Sequence, residues 1–62
     1  LLTARQREVF ELALRRGYWK SPREVTLTNL SAELSIAKST LSVLLHSIEC
    51  KIIDRYYDEI LS

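Results

Sequence analysis

Between Leu27 and His46 the apolar positions fall into two runs at helical spacing with a short interruption between them. Leu27, Leu30 and Leu34 give one apolar face to a first short helix, and Leu41, Leu44, Leu45 and Ile48 give one to a second. Ile36 sits in the interruption, where it plugs the turn. Ser35 occupies the position at which a left-handed backbone favours glycine, and Ser31 is small enough to let two helices approach closely. Upstream, Thr3-Ala-Arg-Gln6 fits a capping box, in which the hydroxyl and the amide side chain satisfy the first free backbone groups of a helix. Val9, Phe10, Leu12, Ala13 and Leu14 form the apolar arc of that helix. Arg7, Glu11 and Arg15, at successive i,i+4 steps, are expected to pair on its solvent side until Gly17 stops it.

The segment Gly17-Tyr-Trp-Lys-Ser-Pro-Arg23 is irregular, and its two aromatics read as a cover for the open end of a small core. Pro22 disfavours a helical Ser21 and so separates the first helix from the second. Thr26 is a suitable N-cap, with Val25 and Leu30 placed as a hydrophobic staple around it. A third helix is expected to begin after Ile36-Ala37, with Ala37 a poor cap. Nothing from Lys38 onward breaks it, so it runs for about 20 residues or more. Its stripe Leu41, Leu45, Ile48, Ile52, Tyr56 continues along one side, while Ile53, Tyr57, Ile60 and Leu61 add a second apolar face. One small core cannot cover both faces. The pattern therefore predicts a homodimer through Ile53, Tyr56, Tyr57 and Ile60; sequence outside this chain covering the same face is the alternative.

The fold class expected is all-α: a single three-helix domain over residues 1–62, with a helix-turn-helix motif at about 27–46 and a helical extension over 47–62. Spacing alone fits a plain helical hairpin equally well. The outward face of the third helix adds information, because Ser39, Ser42, Val43 and His46 gather opposite the apolar stripe, with Lys38 beside the helix start and no acidic residue among them. Hydroxyls, a methyl-bearing side chain, an ammonium and an imidazole all suit base edges or phosphates, and they also suit a solvated face.

Charge sharpens this only when its distribution is considered. The net charge is +1, but residues 1–23 hold Arg5, Arg7, Arg15, Arg16, Lys20 and Arg23 against Glu8 and Glu11, while the remainder is acidic on balance. Phosphate contacts are thus expected from the first part of the chain as well, with Arg5, Arg23, Thr26 and Thr28 the candidates. A carboxylate partner for Arg23 is the competing reading. The single cysteine, Cys50, reads as a reduced thiol, and it pairs with His46 at i,i+4 without further ligands to complete a metal site. No metal, cofactor or small-molecule ligand is expected. No phosphate-binding glycine loop, nucleophile motif or carboxylate pair suggests an enzyme. No apolar run of membrane length or signal peptide is present, which predicts a cytoplasmic domain. The absence of an initiating Met and the helix signal at the third residue suggest a piece of a longer protein.

Leu2-Thr-Ala-Arg-Gln-Arg-Glu8, Gly17-Tyr-Trp19, Pro22-Arg23, Leu27 to Leu34 and Ile36-Ala-Lys-Ser-Thr-Leu41 together resemble the helix-turn-helix domain of archaeal bacterio-opsin-activator-type regulators, through about Lys51. The resemblance implies a C-terminal, DNA-binding output domain of a transcription regulator, with the helix from Lys38 to His46 in the major groove. The chain departs from that family where Leu45-His46-Ser47 replaces a more basic helix end, where Ser35 replaces Gly, and where Ala37 replaces a Ser cap. The first departure implies weaker phosphate affinity. On this basis Lys38, Ser39, Ser42, Val43 and His46 are expected to read bases in double-stranded DNA. A helical dimerisation or partner-docking module is the alternative function.

Overall fold

The computed structural model describes residues 2–61; Leu1 and Ser62, the ends of the expected domain, lie outside the described residues. Three helices follow one another: α1 (Ala4–Arg15), α2 (Leu27–Leu34) and α3 (Lys38–Leu61). No strand occurs among the described residues. Helices α1 and α2 both pack on α3, whose first half is the centre of the domain.

Helices α1 and α2 begin and end for local reasons. The capping box of α1 is formed: the Thr3 hydroxyl accepts from the Gln6 backbone N–H at 3.1 Å, and the Gln6 side chain accepts from the Thr3 N–H at 3.0 Å. Gly17 follows α1 at φ 77°, and a Cβ there would lie 2.8 Å from the Cβ of Glu24. Only glycine allows the chain to fold back at that point, where the Gly17 carbonyl accepts from the N–H groups of Lys20 and Glu24. Thr26 caps α2 by accepting from the Asn29 N–H at 3.0 Å. At the other end Ser35 takes the left-handed conformation, φ 58° and ψ 42°. The N–H groups of Ser35 and Ile36 then return to the carbonyls of Ala32 and Ser31, the Schellman pair that closes a helix. The Leu41 N–H donates to the Ala37 carbonyl, so α3 starts where the sequence places it.

The core consists of Val9, Leu12, Ala13, Tyr18, Leu30, Leu41, Leu45 and Ile48, with Phe10, Trp19, Val25, Ile36 and Leu44 partly buried against it. Ser31 is buried at the helix crossing and its hydroxyl donates to the Thr28 carbonyl, so the close approach leaves no unsatisfied polar atom. Two expectations for α1 are corrected. Leu14 is 51% exposed rather than part of the apolar arc. Gln6 is buried instead, held by Ser47 and Lys51 of α3. Among the described residues, Arg7, Glu11 and Arg15 form no ion pair; the pairs made by α1 and its end are Arg5–Glu8 and Arg16–Glu33. The buried stripe of α3 runs on to Ile48, so the exposed part of the helix begins at Cys50.

Candidate nucleic-acid interface

The front half of α3 has two sides of opposite character. Leu41, Leu45 and Ile48 are almost wholly buried against α1 and α2. On the opposite side Ser39, Ser42, Val43 and His46 are all exposed, as is Lys38 at the helix start, and Val43 is 70% accessible despite being apolar. Four of the five expected base-reading residues thus share one open face, with Lys38 exposed at the helix start beside it. Thr40, which the sequence reading omitted, belongs with them: it lines a shallow depression of about 340 Å³ with Ser39, Val43 and Leu44. The signal was its position three residues before Val43, on the flank of the outward arc.

Several contacts fix the attitude of this helix. The Gln6 amide donates to the Ser47 hydroxyl at 2.9 Å and accepts from the Lys51 ammonium at 2.9 Å, tying the start of α1 to the middle of α3. Trp19 donates from Nε1 to the Glu49 carboxylate at 2.8 Å. Its ring packs between Phe10 and Tyr18, with centroids 5.6 and 5.2 Å away. The irregular segment therefore clamps α3 from the side, as the aromatic cover expected of it. Across the other side, Arg16 donates two hydrogen bonds to Glu33 and ties α1 to α2. This hydrogen-bonded pair holds the Glu33 carboxyl below its ordinary range and raises the Arg16 guanidinium above its own.

The same contacts shape the electrostatics. No acidic residue lies between Lys38 and Ile48; Glu33 of α2 is ion-paired with Arg16, while Glu49, just beyond in α3, accepts from the neutral Trp19 indole and keeps its charge. An anion approaching the front of α3 thus meets no carboxylate on that stretch, and Glu49 is the next charge along the helix.

The four expected phosphate contacts are more dispersed. Arg5 lies in the first turn of α1 and is ion-paired with Glu8. The Arg23 guanidinium lies 4.3 Å from the centroid of the Tyr18 ring, stacked rather than bound to a carboxylate. Thr26 caps α2, and Thr28 is exposed in its first turn. His46 and Cys50 are neighbours, with Nε2 3.6 Å from Sγ. Among the described residues no group of three His, Cys, Asp or Glu side chains is arranged to hold a metal ion. No helix among them is long and apolar enough to cross a membrane.

A short helix, a turn closed by a left-handed residue, and a following helix braced by two others with one face open define a helix-turn-helix domain. The chain belongs to the family of HTH DNA-binding domains, of the bacterio-opsin-activator type, which matches residues 2–54. Binding DNA, not catalysis, is the activity this family defines. The chain is 44% identical over 57 residues to the transcriptional regulator NarO of Haloferax volcanii, an alignment covering 92% of this chain and 27% of that protein. It is 40% identical over 57 residues to a dimethyl sulfoxide reductase transcriptional activator of the same organism, with 92% and 27% covered. It is 36% identical over 58 residues to a dimethyl sulfoxide reductase transcriptional activator of Halobacterium salinarum, with 94% and 26% covered. The chain thus spans about a quarter of the length of these relatives. No solved structure matches it.

Proposed function

We propose that this domain is the sequence-specific, double-stranded-DNA-reading output of an archaeal transcription regulator, working in the cytoplasm where the DNA is. The observation that carries the reading is the front of α3: immediately after the turn, one side is buried and the other is open, polar and free of acidic residues. In the major groove Lys38, Ser39, Ser42, Val43 and His46 meet base edges. Thr26 and Thr28, at the positive end of α2, hold one phosphate, and Arg5 and Arg23 hold others. Stacking on Tyr18 orders Arg23 while leaving its in-plane N–H donors for that role.

The active form is a homodimer through the back of α3. Ile53, Tyr56, Tyr57 and Ile60 are each about 60% exposed, an apolar surface that a second copy would cover. A two-fold dimer of this kind reads half-sites about 34 Å apart, or a multiple of that spacing. The same surface favours a second reading, a partner-docking module that keeps the fold with little DNA affinity, and the small net charge of +1 agrees with it.

Binding of Ser42→Ala, His46→Ala and Arg23→Ala variants to duplexes selected from a random pool distinguishes these functions. Loss of preference for the selected duplexes in the first two, and uniform weakening in the third, supports the division into base and phosphate contacts. Equal losses on every duplex for all three overturn it. Indifference at all three, with dimerisation intact, favours the docking module.

A further inference from the structure

The family and the fold define DNA as the ligand; the chemistry of the open face narrows which bases it prefers. Major-groove readout by hydrogen bonds relies on side chains that offer two aligned donors or acceptors, such as Arg to guanine and Asn or Gln to adenine. Arg, Asn and Gln do not occur between Lys38 and Ile48, and Lys38, at the helix start, is the one side chain of that stretch able to pair with guanine in this way. The front of α3 offers instead three hydroxyls, at Ser39, Thr40 and Ser42, together with one exposed aliphatic side chain. Hydroxyls donate and accept, so they discriminate weakly between bases. Val43 differs: it is 70% exposed, one turn into the helix, at the centre of the outward face. Beside it the methyl-bearing Thr40, with Ser39 and Leu44, completes the depression of about 340 Å³.

An exposed valine gains free energy when a ligand presents apolar surface to it. In the major groove that surface is the C5 methyl group of thymine, which cytosine lacks. We infer that Val43, with the methyl of Thr40, is a thymine-methyl contact and that the preferred sites place thymine opposite this depression. The inference rests on the DNA-reading role of α3 and names the chemistry by which that role selects sequence. Val43 then determines specificity at that step, while Lys38, Ser39, Ser42 and His46 read the bases around it. Exchanging methyl contact for hydrogen bonding places thymine above cytosine at that step.

The test removes the methyl group from the DNA and the side chain from the protein in turn. Duplexes are selected from a random pool with the 62-residue chain, and the tightest are resynthesised with deoxyuridine replacing thymine one position at a time. At one or two positions this substitution weakens binding by about fourfold, the factor expected for one buried methyl. Val43→Ala, which removes two methyls at an exposed helix position and spares the core, shows the weaker affinity on the thymine duplex and loses the difference between thymine and deoxyuridine. Its unchanged thermal midpoint separates this from misfolding. If selected duplexes bind but deoxyuridine at every position is neutral, the methyl contact is wrong while the DNA-reading role stands. If the thymine preference persists in Val43→Ala, Val43 is not the contact. If no duplex is enriched over the pool, the sequence-reading role itself fails, and this inference with it.

Discussion

The two halves of α3 are one unbroken helix built to different rules. From Lys38 to Ile48 an almost completely buried stripe, Leu41, Leu45 and Ile48, faces α1 and α2 while the opposite side is polar apart from Val43. From Cys50 to Leu61 every residue is exposed, and six large apolar side chains, Ile52, Ile53, Tyr56, Tyr57, Ile60 and Leu61, stand on more than one side. A helix that is amphipathic at one end and apolar around much of its surface at the other reports where its neighbours stop. The front has its partners within the domain. The large apolar side chains of the back stay exposed among the described residues.

The largest expected effect tests the front against the back directly. Leu41→Ala removes a fully buried side chain and is expected to cost about 2 to 5 kcal/mol, enough to unfold much of so small a domain. Ile53→Ala, at 64% exposure, is expected to change the stability of the dilute chain by less than about 0.5 kcal/mol. Urea midpoints measure both, and comparable losses would erase the distinction between the halves. At the boundary between them, Gln6→Ala deletes the bonds to Ser47 and Lys51 and is expected to cost about 1 to 3 kcal/mol. Amide exchange of that variant should rise first around Ser47, where α1 is tied to α3.

Much of this contrast is legible in the chain because it depends on local order. The Thr3 and Gln6 box, the left-handed Ser35 and the α3 stripe all act within a few residues, so spacing and residue type suffice to place them. Contacts that span the domain are another matter. Gln6 reads as a capping partner, and its second role needs Ser47 and Lys51, more than 40 residues away, to arrive beside it. Arg16 reads as a terminal arginine until α2 brings Glu33 within reach. Leu14 belongs to an apolar arc by its angle, yet neither α2 nor α3 covers it. The open face of α3 was largely readable for the opposite reason: it is what remains once the buried stripe is assigned, and only Thr40, at its edge, was passed over.

Smaller effects sharpen the picture at the helix ends. Ala37→Ser supplies a side-chain acceptor at the start of α3 and is expected to raise stability by about 0.5 to 1 kcal/mol, measured as a higher urea midpoint. The smallest effect is the pH dependence of the Arg16–Glu33 pair. Because the Glu33 carboxyl titrates below its ordinary value of 4.5 in the folded chain, its contribution is present above that pH and is lost as the pH falls through the lowered value. Thermal melts should show a small deficit for Glu33→Gln at neutral pH that closes on acidification. Both partners are exposed, so added salt should shrink the deficit as well.

Sedimentation of the 62-residue chain, alone and with duplexes selected from a random pool at low and moderate salt, tests the division of labour most directly. We expect a dimer whose association is abolished by Ile53→Asp with Tyr57→Asp, and a complex of two chains per duplex that persists on a subset of sequences as salt rises. A monomer at all concentrations would contradict the role given to the back of α3. A dimer that binds all duplexes alike, and only at low salt, would contradict the role given to the front.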